Sequence, residues 1–363
     1  MTETTTILEK AGIGGYEEYR IPAIAGTDRG TVLTAWESRK ETGNDWAECH
    51  ITVRRSTDDG KSFGEPQYIK GTVPPEERIT WNNPVLISDG NLVHLIFCQD
   101  YEKTWYTVSE DEGETFREPV EITETLRNIP WEWNVCATGP GHGILTKAGL
   151  LVVPIWLAMG KVHERKGKLV RDHFPSVAGC IYSEDHGKTW LPGFFTRGVE
   201  NANETTVAEM ASGKLLFNFR NERFERCRVM GITQAVPTKL ETVWSETQLP
   251  DPTCCGSMES EDGMLYFVNC ANHDMNIFYA PRIHLTLYRS NDDARTWEAL
   301  EEIDPCGGYA DLAIHENAAY ILYERTVNGT IQELLLKKVL LKIIIKNIIF
   351  LLIVQKTVNC LKM

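Results

Sequence analysis

The sequence predicts an all-β chain, a β-propeller of about six blades. Three observations carry that expectation. Four short segments repeat one turn pattern: "STDDGKSF" at 56–63, "SEDEGETF" at 109–116, "SEDHGKTW" at 183–190 and "SNDDARTW" at 290–297. Each follows an apolar or alternating run ("HITVRR", "WYTV", "AGCIY", "HLTLYR") and precedes another strand-like stretch. No long amphipathic run with a 3.6-residue period occurs before residue 331.

The shared pattern, Ser-x-Asp-x-Gly-x-Thr/Ser-aromatic, has the chemistry of a hairpin turn. The aspartate can accept backbone N–H bonds from the residues that follow it, glycine supplies a positive φ, and the aromatic ring plugs the space beneath. In the fourth copy Ala294 stands where the others have glycine. A positive φ there costs about 1 kcal/mol, so that turn is expected to be strained or rearranged. The copies begin 53, 74 and 107 residues apart. A degenerate unit near Trp244 ("LETVWSETQLP") would divide the last gap. Units of roughly 50 to 60 residues suit propeller blades of a few strands each.

Composition narrows the function. Of 363 residues, 42% are hydrophobic and 24% charged, as in ordinary globular domains. The net charge of −14 disfavours nucleic acid as partner, since phosphate binding needs a basic face. An anionic substrate would need a local positive site set against that field. The ten cysteines show no CxxC pair and no ligand spacing with histidine, so free buried thiols and no metal are expected. The sequons at Asn203 and Asn328 read as chance matches.

The start, "MTETTTILEKAG", has neither a basic region nor an apolar core, so no secretory leader and a cytoplasmic location are expected. The end, "LLLKKVLLKIIIKNIIFLLIVQKTVNCLKM", is apolar and lysine-bearing. Its longest unbroken apolar run, Ile348–Val354, is 7 residues, well short of the ~20 that span a bilayer. Residues 1–340 are read as one propeller domain and 341–363 as an atypical tail. A membrane-associated tail is the lesser alternative. Closure of the last blade is expected to need a strand from the chain end.

Arg20, in "EYRIPAI", stands among apolar neighbours just before a strand-like run. A buried guanidinium requires a carboxylate partner, which could be internal or a substrate.

The four turns resemble the Asp-box, or bacterial neuraminidase repeat. The segments "YRIPAI", "DWAECHITVRRSTDDG", "WEWNVCATGPGHGI", "NANETTVAEMASGKLLFNFRNE", "APRIHLTLYRSNDDARTW" and "GGYADLAIHENAAYILYE" resemble, in order, the retaining exo-α-sialidases of bacterial and animal type. The resemblance runs from about residue 16 to about residue 340 and implies the six-bladed sialidase fold. It implies that Arg20, Arg220 and Arg282 bind a substrate carboxylate, a task that suits planar forked guanidiniums. Arg289 and Arg295 lie near Arg282, but the Pro-Arg-x-x-Leu-Thr pattern favours Arg282. Tyr309 matches the nucleophile and Glu204 its base partner, with Glu209 as a nearby rival. A neutral tyrosine avoids bringing an anionic nucleophile against the substrate's own carboxylate. Asp45 matches the general acid, with Glu48 as rival, and Arg39 an arginine near that loop. Glu324 matches a glutamate that braces the first arginine.

His142 in "GPGHG" reads as structural. Trp131 and Trp133 could stack on sugar or pack between blades. The resemblance implies hydrolysis of terminal α-linked sialic acids on glycoproteins, glycolipids or oligosaccharides, with net retention and no cofactor. The alternatives are a trans-sialidase or hydrolase of a related 2-keto sugar acid, and, from another class, a non-catalytic propeller that binds sialylated glycans or proteins.

Overall fold

The structure, a computed structural model, describes residues 3–72, 78–165, 167–272, 274 and 280–341. All but the first residue of the atypical tail therefore lies outside the described residues. Among the described residues six sheets, each built on four antiparallel strands running from the axis outward, form a six-bladed β-propeller, and the second and third carry one further short strand each. The first blade holds Glu18–Gly26, Val32–Arg39, Cys49–Ser56 and Gln67–Ile69. The second holds Trp81–Asp89, Leu92–Gln99, Lys103–Ser109 and Val120–Glu121. The third holds Val135–Thr138, Leu151–Ala158, Ser176–Ser183 and Leu191–Phe195. The fourth holds Thr205–Glu209, Leu215–Phe219, Cys227–Thr233 and Leu240–Pro250. The fifth holds Ser257–Glu261, Met264–Cys270, Leu285–Ser290 and Glu298–Asp304. The degenerate unit near Trp244 is thus the outer strand of the fourth blade.

The sixth blade corrects one expectation. Its first three strands are Gly307–His315, Ala318–Val327 and Thr330–Leu340, and its fourth is Thr4–Lys10. The N-terminal strand, paired antiparallel to Thr330–Leu340, closes the ring. Lys337 and Lys338 belong to the third strand of this blade. Lys338 is buried, and its ammonium meets Asp59 of the first blade at 2.5 and 2.6 Å.

The four repeated turns join the third and fourth strands of the first, second, third and fifth blades. In the first, Ser62 donates its backbone N–H and hydroxyl to Asp58 at 2.9 and 2.6 Å, and Gly60 N–H donates to Ser56 Oγ at 2.9 Å. The pattern recurs at Asp111, Asp185 and Asp292. Ala294 keeps it, with N–H donated to Ser290 Oγ at 3.0 Å and φ of 64°. The turn is strained rather than rearranged. The glycines also act as spacers between blades. A Cβ on Gly60 would come within 2.8 Å of Leu336 in the sixth blade, and one on Gly113 within 2.0 Å of Leu33 in the first.

Inner strands are buried along nearly their whole length, as in Glu18–Gly26 and Leu151–Ala158, while outer strands such as Glu298–Asp304 face solvent. At the axis the segment around His142 pairs in parallel with the inner strand of the second blade. There Asp311 accepts bonds from Ile24 N–H (2.7 Å), His142 Nδ1 (2.8 Å) and Ser257 Oγ (2.7 Å), tying together segments from four blades. His142 is structural, as its sequence context suggested.

Burial opposes protonation of His142, but the Asp311 carboxylate overrides it and lifts the imidazole to about 9. Burial also pushes the nearby Glu259 up to about 7. Both groups hold protons more tightly folded than unfolded. Their stabilisation is full below the unfolded values of 4.5 and 6.5, and is lost as pH rises through about 7 and about 9. The melting temperature should therefore fall between pH 6.5 and 9, and His142→Gln should flatten that part of the curve in thermal scans. Gly113→Ala should destabilise by about 2–4 kcal/mol in denaturant titration, because overpacking against Leu33 adds to the left-handed φ of 78°.

Candidate active site

Three inner strands carry a bulge at the same end. Register shifts occur between Arg20 and Ala23, Asn82 and Val85, and Gly307 and Ala310. A bulge bends its strand and re-aims a side chain, and these three present Arg20, Asn83 and Tyr309 to one cavity. Ile21 and Asn83 sit at φ of 58° and 54°. A β-branched residue is costly there and persists only where its surroundings enforce it. Ile21 N–H donates to Glu324 Oε1 at 2.8 Å. Glu324 also takes the Arg20 fork, Nε at 3.2 Å and Nη2 at 3.3 Å. Arg20 therefore has the internal partner its apolar setting demanded.

The cavity, about 160 Å³, draws residues from all six blades and brings seven of the eight predicted site residues to its lining; Glu324 lies behind Arg20. Tyr309 is buried, and its hydroxyl donates to Glu204, 2.7 and 2.8 Å from the two carboxylate oxygens. Arg220 Nη1 donates to the Tyr309 oxygen at 2.5 Å and pairs with Glu204. The guanidiniums of Arg282 and Arg20 lie 4.7 and 5.1 Å from the centre of the Tyr309 ring. Burial pushes the Tyr309 phenol well above its ordinary value, so it stands protonated, with a carboxylate in place to take the proton.

Asp45 stands at the rim with 48% of its side chain exposed, and accepts from Arg39 Nη1 at 2.7 Å. Burial raises its carboxyl, but the Arg39 and Arg20 guanidiniums outweigh that and hold it below the usual carboxylate range. The rivals do not reach the cavity. Glu209 lies at the far end of the strand that Glu204 precedes and accepts Lys147 N–H at 2.8 Å. Glu48 is absent from the lining.

Several lining or supporting residues escaped sequence reasoning. Glu37 is fully buried, takes Arg39 Nε at 2.8 Å and Nη2 at 2.6 Å, and accepts Asn83 N–H at 2.7 Å. A glutamate two residues from an arginine on one strand face was a usable signal. Tyr101, Trp156 and His173 form an aromatic wall from the second and third blades, with ring centres 4.7 to 6.2 Å apart. They come from loops and strand ends with no local pattern. Trp131 and Trp133 do pack against the core of the second and third blades, and they also line a separate open cleft of about 860 Å³.

By fold the chain is a six-bladed, repeat-built propeller of the exo-α-sialidase type. The sequence profile of the BNR repeat-like domain matches residues 30–321, and the chain belongs to that family. It is 25% identical over 303 residues to an exo-alpha-sialidase of Arthroderma benhamiae, covering 74% of this chain and 67% of the relative. It is 28% identical over 374 residues to a sialidase of Bacteroides fragilis, covering 91% and 64%. The chain thus spans about two thirds of the length of these relatives. Among solved structures, the Hadza microbial sialidase Hz136 superposes with a TM-score of 0.76 at 24% identity, over 93% of this chain and 68% of that one. Trypanosoma rangeli sialidase gives 0.72 at 19% identity, over 93% and 59%.

Glu324→Ala should cost about 3–5 kcal/mol in thermal or denaturant unfolding, because it leaves the Arg20 charge and the Ile21 N–H buried without a partner.

Proposed function

We propose that the chain is an exo-α-sialidase that hydrolyses terminal α-linked sialic acids of glycoconjugates with retention, through a tyrosyl-enzyme intermediate. One observation carries this reading: a buried tyrosine hydroxyl bonded to a carboxylate, with three guanidiniums around the ring. Arg20, Arg220 and Arg282 would receive the substrate carboxylate, and Arg39 would orient the acid. Asp45 would give its proton to the leaving oxygen while the Tyr309 oxygen bonds to C2 of the sugar and its proton passes to Glu204. Asp45 would then take a proton from water as that water attacks C2, and Tyr309 would regain its proton from Glu204. The similarity to curated sialidases supports the substrate class.

The charge around Asp45 gives this scheme a pH signature. In the free protein Arg39 and Arg20 favour its ionised form. A carboxylate bound at Arg20 offsets one of these charges and raises the Asp45 pKa, so the acid holds its proton better once substrate is bound. The loss of activity with rising pH should accordingly begin at higher pH in kcat than in kcat/KM. With a fluorogenic α-sialoside the wild type should turn over, and Tyr309→Phe should lose at least about 100-fold in kcat. A folded wild type without activity would sink the enzyme reading, and full activity in Tyr309→Phe would sink the nucleophile.

A further inference from the structure

Asp45 stands on a stretch without regular structure, between Val32–Arg39 and Cys49–Ser56, and half of its side chain faces open space. A group that delivers a proton must be held within a fraction of an ångström; Arg39 and the loop's own bonds hold it from within the first blade, and a further part of the support comes from two blades away. Trp46, next in sequence, is buried with its ring centre 5.0 Å from that of Tyr101, in a core cluster that includes Val170. The carbonyl of Ala47 accepts the Thr80 hydroxyl at 2.6 Å. That same hydroxyl oxygen accepts the Lys168 ammonium at 2.9 Å, and Lys168 also pairs with Asp100. Asp100 in turn accepts Thr80 N–H at 3.1 Å.

Lys168 and Val170 belong to a hairpin, Val162–Arg165 and Lys168–Arg171, that forms a separate two-stranded sheet outside the blades. The crevice lined by this hairpin and by Asn44 and Trp46 of the loop has a volume of only about 10 Å³. The two surfaces are packed together, with no room for a ligand. A second tie, the ion pair between Arg171 and Glu102, anchors the hairpin to the second blade.

We propose that this hairpin, inserted between the second and third strands of the third blade, is a strut that steadies the Asp45 loop of the first, and that Lys168 is its positioning residue. The inference rests on the reading of Asp45 as general acid. Lys168 touches neither substrate nor reacting atoms; it acts through Thr80 on the backbone two residues beyond Asp45. Loss of the strut lets the acid wander, and the cost falls on substrates whose leaving group needs a proton.

Leaving-group dependence tests this. Lactose leaving from sialyl-lactose would be an alkoxide and needs protonation, whereas an aryl α-sialoside releases a stabilised phenolate. Lys168→Met should lower kcat by about tenfold or more on sialyl-lactose while altering it about twofold or less on the aryl substrate, and Lys168→Arg should restore the first value. Amide hydrogen exchange over residues 44–49 should quicken in Lys168→Met, with its melting temperature checked to establish that it folds. Equal losses on both substrates, or none on either, would overturn the strut. A wild type inert toward both substrates would overturn the hydrolase reading itself, and the strut's catalytic role with it.

Discussion

A guanidinium cannot stay out of water without a carboxylate to meet it, and the axial site is organised around that constraint. Arg20 leans on Glu324, Arg39 on Glu37 and Arg220 on Glu204. Each brace locks a fork in one orientation before any ligand arrives, which lowers the entropic cost of binding an anion. Each also offsets the charge it locks. Among the described residues no carboxylate lies within ion-pair distance of Arg282, so its charge remains for an incoming anion. A chain with a net charge of −14 attracts a carboxylate only where the geometry of donors overcomes the wider field.

The braces work because the inner strands do not run straight to the rim. Bulges in the first, second and sixth blades bend the strand ends so that Arg20, Asn83 and Tyr309 converge. The strain recorded in the left-handed Ile21 is held by the same Glu324 that holds Arg20. Backbone shape and charge placement thus depend on one buried carboxylate. Further along the inner strands Asp311 of the sixth blade performs the corresponding task for the backbone, gathering donors from the first and fifth blades and from the segment around His142.

Much of this was legible in the sequence. The repeated turns declare their hydrogen bonds residue by residue, because the aspartate and its donors are local. The arginines, Tyr309, Glu204, Asp45 and Glu324 were found through motifs, and the geometry brings them together. Glu37 was hidden because its partner arginine looked explained. Tyr101, Trp156, His173 and Lys168 were hidden because their neighbours are distant in sequence and no local pattern marks them. Ring closure was misjudged because Thr4–Lys10, "TTTILEK", is short and polar and carries no mark of a strand at the outer edge of a sheet.

That outer edge has a temporal consequence. Thr4–Lys10 is made roughly 320 residues before its partner Thr330–Leu340. At roughly 5–20 residues per second the interval on the ribosome is about 20–60 s. Throughout it the first strand has no partner strand, and Asp59 lacks the ammonium of Lys338. Five sheets can form in order as they emerge, but the ring and its axial site come into being only when the two ends of the described chain meet. The polar, threonine-rich character of that first strand is what a waiting edge needs if it is not to pair with the wrong neighbour.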